Sequence, residues 1–172
     1  KGNNALEIYT QKEDRKYLQN AINSYLKSIE IFKAIKDTIN EAHTRNSLAE
    51  SYLYTEDLDA AAAEVQQSIK LGSDLNDPEI QLNGYYTLAN FYEMSQNPQK
   101  TIYALEKLKY FLENTKNAQD LAFMDEQFKE GEVKTSIALI NSKIGIFNKQ
   151  IENQRLAKER LVMIFAIIII VI

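Results

Sequence analysis

Between positions 37 and 71 the chain reads DTINEAHTRNSLAESYLYTEDLDAAAAEVQQSIKL. Apolar residues fall at steps of three and four, stop at one short polar break, and resume with the same spacing, as in two helices folded back on each other. Asp37-Thr38 offers an N-cap, and Ile39, Ala42, Leu48, Ala49, Tyr52 and Leu53 form the inward stripe of a first helix predicted over about 39 to 55. Glu56-Asp57 breaks that helix. Leu58, Ala61, Ala62, Val65, Ile69 and Leu71 then carry a second one, in which the small Ala61 and Ala62 let two backbones approach closely.

Working outward from this hairpin, the same residue types return 40 positions later: Leu48-Ala49 as Leu88-Ala89, Tyr52 as Tyr92 and Asp37 as Asp77. Stepping the other way, Ala61, Val65 and Ser68-Ile69 have Ala21, Tyr25 and Ser28-Ile29 as counterparts, and Ile8-Tyr9 stands where Leu48-Ala49 stands. Three units result, over about 1–37, 38–77 and 78–116, the first with a worn opening helix. Asp77-Pro78 and Asn97-Pro98 each place a capping residue directly before a proline, whose missing N–H costs nothing at the first helical position.

Composition agrees with an all-α fold. The 172 residues include only 5 Gly and 2 Pro, too few for a chain rich in tight turns and sheet. Apolar residues at 45% suffice to bury a core. A net charge of -4 supplies no basic field to neutralise phosphates, so nucleic acid is not an expected partner. With no Cys, disulfides, thiolate metal sites and thiol nucleophiles drop out. His43 is the sole histidine, so a His-pair metal site is excluded, and Gly2, Gly72, Gly84, Gly131 and Gly145 stand too far apart for a phosphate-cradling loop. No catalytic residue and no cofactor is expected in this segment.

The Leu-small-x-x-Tyr pattern of the first helices (Leu48-Ala49 with Tyr52, Leu88-Ala89 with Tyr92) and the small-large-small pattern of the second (Ala21, Tyr25, Ser28; more loosely Ala61, Val65, Ser68) resemble the tetratricopeptide repeat over about residues 3 to 114. Thr101, Leu105 and Leu108 match that second pattern poorly, and 40 residues exceed the usual 34 of the family, which implies longer helices. The resemblance implies antiparallel hairpins stacked as a right-handed superhelix, with the first helices lining a concave groove for a peptide or protein ligand. Groove positions are then His43, Asn46, Glu50 and Tyr54 in the second unit, and Asn83, Tyr86, Asn90, Glu93 and Met94 in the third. The carboxamides can donate to and accept from a peptide backbone, and Tyr86 offers a flat anchor. Taken singly, each is more readily a solvated polar position between core residues. The cationic clamp with which some members of the family hold acidic C-terminal tails is missing, since the matching positions hold no Lys or Arg.

Beyond about Asn117 a different period takes over. Val133, Ile137, Ile140, Ile144, Phe147 and Ile151 alternate steps of four and three, a heptad seam for pairing with a second copy or for packing on the end of the array. Gly145 inside it costs about 1 kcal/mol against Ala and marks a bend. A linker helix over about 117–160 leads to Leu161–Ile172, where 12 residues carry no polar group. That run is too short to span a bilayer, which needs roughly 20 apolar residues, so the expectation is the start of a transmembrane helix in a segment of a longer protein. The layout resembles the sensor half of Bacteroidetes-type membrane-bound regulators, which implies a repeat region outside the cytoplasm and an output domain such as a histidine kinase. Arg155, Lys158 and Arg160 flank the apolar run and argue for the opposite orientation. A membrane-anchored scaffold without output domain is the alternative, and a soluble peptide-binding regulator would require the tail to be buried.

Overall fold

The computed structural model describes residues 15–114 and 133–171. Six helices, and no strands, make up the described residues: α1 (Arg15–Ile35), α2 (Thr38–Tyr54), α3 (Leu58–Asp74), α4 (Pro78–Met94), α5 (Pro98–Asn114) and α6 (Val133–Val171). From α2 to α5 every helix has 17 residues and every connection three, which is why the packing pattern returns after 40 positions.

Each of these connections, and the two-residue link between α1 and α2, is the same device. Lys36, Glu56, Asn76 and Gln96 adopt left-handed backbone angles, with φ of 58, 60, 51 and 52°. The amide after each reaches back to the helix it leaves: Asp37 N–H to Phe32 O at 2.9 Å, Asp57 to Tyr52 O at 3.0 Å, Asp77 to Gly72 O at 2.8 Å and Asn97 to Tyr92 O at 2.9 Å. That bond closes a Schellman turn. The same four residues cap the next helix, their side-chain oxygens accepting from Asn40, Ala60, Glu79 and Ile80, and Lys100 N–H groups. One Asp or Asn therefore serves the end of one helix and the start of another, and a three-residue link leaves neighbours no option but to run antiparallel.

Successive helices pack in chain order, and α2 also touches α4 directly, so these two lie side by side and parallel. Leu18, Ala21, Ile22, Tyr25 and Ile29 of α1 bury against Leu48 of α2. A second cluster runs from Ala49 through Val65, Leu82, Leu88, Ala104, Leu105 and Leu108 to Ile140 of α6. Buried Ser68, in a small-residue position, donates to Ala42 O across the α2–α3 contact at 2.8 Å. Arg45, 8% exposed, pairs with Glu41 of its own helix at 2.9 Å and with Glu64 of α3. Ile39 departs from the inward stripe expected of it: it is 50% exposed, at the α1–α2 corner where Ile31 and Ile35 are exposed as well.

Helix α6 runs unbroken for 39 residues, about 58 Å at 1.5 Å per residue, and Gly145 lies within it as helix. Its first turns lie on the array. Ile140 is buried in the second cluster, and Ile137, Ile144 and Phe147 pack against it. Lys143 Nζ pairs with Glu93 of α4 and Lys109 Nζ of α5 donates to Asn141 Oδ1, both at 2.9 Å. From 152 to 165 every side chain is exposed. Among the described residues no helix is long and apolar enough to cross a membrane. Ile8-Tyr9, the linker from 117 to 132, the side chain of Val133 and the side chains from 166 onward lie outside what is described.

Candidate functional site

The parallel pair α2 and α4 presents the polar positions expected of a binding face. His43, Asn46, Ser47, Glu50 and Tyr54 recur at steps of one, three and four along α2, and Asn83, Tyr86, Thr87, Asn90 and Met94 stand 40 positions on along α4. His43, Asn83, Tyr86 and Asn90 are half-buried, whereas Tyr54 and Met94 are exposed. Glu93 sits at the far edge, held by Lys143 of α6. The face is thus a graded surface rather than a uniformly solvated one.

Asn46 differs from the solvated groove position expected of it, being 3% exposed. Its Nδ2 donates to Glu50 Oε1 at 3.2 Å, and Thr87 Oγ1 of α4 donates to the same oxygen at 3.2 Å. A side chain spaced one helical turn away and one spaced 37 residues away thereby converge on one carboxylate oxygen. The carboxylate also fixes which end of the Asn46 amide faces it, because the reversed amide would set oxygen against oxygen. The Asn46 Oδ1 atom is consequently turned away from Glu50, and it finds no hydrogen-bond donor among the described residues although it is fully buried. Leaving such an acceptor unsatisfied costs about 1–3 kcal/mol.

A third helix reaches the same node. Burial, and secondarily the Glu50 carboxylate, push the Tyr25 phenol of α1 up to about 12, while a hydrogen bond with Ser47 acts in the opposite direction. Tyr25, Ser47, Asn46, Glu50 and Thr87 therefore form a polar junction of α1, α2 and α4 inside an otherwise apolar contact. Such a junction fixes the rotation of the three helices relative to one another, because each partner must present one particular edge.

This arrangement suits hydrogen bonding. Among the described residues no three His, Asp or Glu side chains converge as metal ligands. Outside the face, the polar Arg45 cluster fastens α2 to α3. An aromatic group on α4 and α5, with Tyr85 stacked on Phe111 at 5.8 Å and set edge-on to Tyr103 at 6.4 Å, fastens the last hairpin. Burial and Tyr103 push the Tyr85 phenol up to about 12.

Of the expected seam, Ile137, Ile140, Ile144 and Phe147 face the protein's own last hairpin, and Ile151 is half-buried just past it. The face on α2 and α4 was legible from helical spacing, but the Asn46–Glu50–Thr87 convergence was not. The available signals were the i to i+4 spacing of Asn46 and Glu50 and the equivalence of Ser47 with Thr87 40 positions on. No protein-family model and no curated protein sequence matches the chain.

Proposed function

We propose that the chain is a tetratricopeptide-like array that holds a peptide or protein segment across α2 and α4, and that α6 links this array to a membrane, as in the sensor region of a membrane-anchored signal-transduction protein with a histidine kinase as output. In this reading α2 and α4 are first helices of successive hairpins and line a concave groove. Ala49, Ala61, Ala89 and Ser68, all buried, are the small residues such stacking requires, and their 40-residue recurrence arises from 17-residue helices.

The observation that carries the proposal is the continuity of α6. One helix plants Ile140 in the core of the array and extends, exposed from 152 to 165, to the apolar run that begins at Leu161. A ligand that alters how the last hairpin meets α6 therefore shifts everything downstream of it, provided it binds the two arrangements with different affinity. Contact with a second copy falls to α6 beyond Ile151, since the earlier seam positions face the array.

Deleting residues 15–114 from the intact membrane-borne protein tests this. The expected result is loss of signal-dependent output with retention in the membrane fraction after alkaline extraction. Unchanged output would refute the sensor role, and release from the membrane would refute the anchor.

A further inference from the structure

We propose that Lys158 and Arg160 of α6 form a docking collar for the headgroups of anionic phospholipids. The inference rests on the membrane-anchoring reading above and adds the chemistry of the lipid. Charge is divided unevenly along the chain: residues 15–114 hold ten Lys and Arg against fourteen Asp and Glu, whereas α6 holds six against two. Within α6 a single cation takes up both acids. Arg155 pairs with Glu152 at 2.7 Å and with Glu159 at 3.8 Å. Lys158 and Arg160 are exposed, have no ion-pair partner among the described residues, and stand directly before the apolar run.

Position along the helix decides which cations reach the lipid. At about 1.5 Å per residue, Arg160 lies about 1.5 Å and Lys158 about 4.5 Å from Leu161, inside a polar layer of roughly 5–7 Å on each side of the hydrocarbon. Lys149 lies about 18 Å away, beyond the screening length of about 8 Å. Two residues of helix turn through about 200°, so the two cations stand on opposite sides of α6. A helix lying flat would bring only one of them to the lipid. The run from 161 to 172 carries no polar group on any side, which suits steep entry and lets both reach phosphates. The ammonium acts on a phosphate as a point charge, and the guanidinium through paired N–H groups. Zwitterionic lipid sets its own cation beside its phosphate and so has no net charge to attract them. The chain as a whole, at a net charge of -4, would be repelled by an anionic surface, so any attraction is local to α6.

The test is cosedimentation of the 172-residue chain at low salt with vesicles of phosphatidylcholine alone and with vesicles of equal parts phosphatidylcholine and phosphatidylglycerol. The apolar run should bring the chain to both, and the anionic vesicles should hold it about thirtyfold more tightly, about fivefold for each of the two cations. Lys158→Gln combined with Arg160→Gln should abolish that preference and leave binding to phosphatidylcholine unchanged. Lys33→Gln combined with Lys36→Gln, at exposed cations beside the α1–α2 link, should change neither. Equal binding of the unaltered chain to the two kinds of vesicle would leave the anchor standing and overturn headgroup recognition. An equal loss from the two double substitutions would reveal diffuse charge attraction and overturn the collar. Absence of binding to either vesicle would overturn the anchor as well.

Discussion

Replacing Gly72 by alanine tests how closely α3 and α4 meet. A Cβ at this position would stand 2.6 Å from Ile80 Cγ2, 2.9 Å from Ile80 Cβ and 3.1 Å from the Gln81 backbone nitrogen. Only the first of these could yield by rotation, and a β-branched residue in a helix has essentially one favoured χ1. The other two are fixed to the α4 backbone, so the helices must separate. Overpacking of this kind costs about 1–3 kcal/mol, and the change from Gly to Ala inside a helix returns about 1 kcal/mol of propensity. With rigid atoms on both sides the cost lies in the upper half of its range, and the net is a destabilisation of about 1–2 kcal/mol. Gly145→Ala in α6 is the built-in control. Nothing lies within 4 Å of its added Cβ, so the propensity term stands alone and stabilises by about 1 kcal/mol. For a chain of this size Gly72→Ala should lower Tm by about 2–8 °C and Gly145→Ala should raise that of α6's unfolding step by about 2–4 °C, read by far-UV circular dichroism. Ile80→Ala, which removes Cγ2, should recover part of the loss in a double-mutant cycle. If Gly72→Ala proved as stable as Gly145→Ala, the close α3–α4 contact would be wrong.

Further consequences follow from the node, the buried ion pair and the α6 contact. Because the Tyr25 phenol is raised in the folded protein from 10.0 to about 12, the folded state favours its neutral form; the stability this contributes is present below pH 10 and is lost as pH rises toward 12, so Tyr25→Phe should flatten urea stability across that interval. Arg45→Met strips the partner from Glu41 and Glu64, both largely buried, and should cost about 2–3 kcal/mol in urea titrations. Ile140→Ala should cost about 2–4 kcal/mol and release α6 to hydrogen exchange, whereas Glu93→Gln, which breaks only the exposed pair with Lys143, should cost less than about 1 kcal/mol.

The sequence revealed the hairpins because packing residues such as Leu48-Ala49 and Leu88-Ala89 are constrained by volume and recur by type. The finer 20-residue rhythm of the connections stayed hidden. Their left-handed residues are Lys36, Glu56, Asn76 and Gln96, with no glycine among them to mark the turn, and Glu56-Asp57 read simply as a polar interruption although Asp57 also caps α3. Helical spacing placed Asn46 on one face of α2 with His43 and Glu50 but could not give its depth, since Thr87 of another helix meets the same carboxylate. Ile39 failed for the converse reason: it has the spacing of a core residue, but sits at a corner left exposed. The seam was legible as a seam; that Ile137 to Phe147 meet α5 and its neighbours depends on a long-range docking that periodicity does not encode.

The most direct test of a binding face on α2 and α4 is the side-chain amide NMR spectrum of the 172-residue chain, recorded with and without a peptide selected on it from a random library. The account predicts shifts for Asn46, Asn83 and Asn90, with Asn20 and Asn23 on the exposed surface of α1 unmoved. Failure to select any peptide, or shifts confined to the α1 carboxamides, would contradict it.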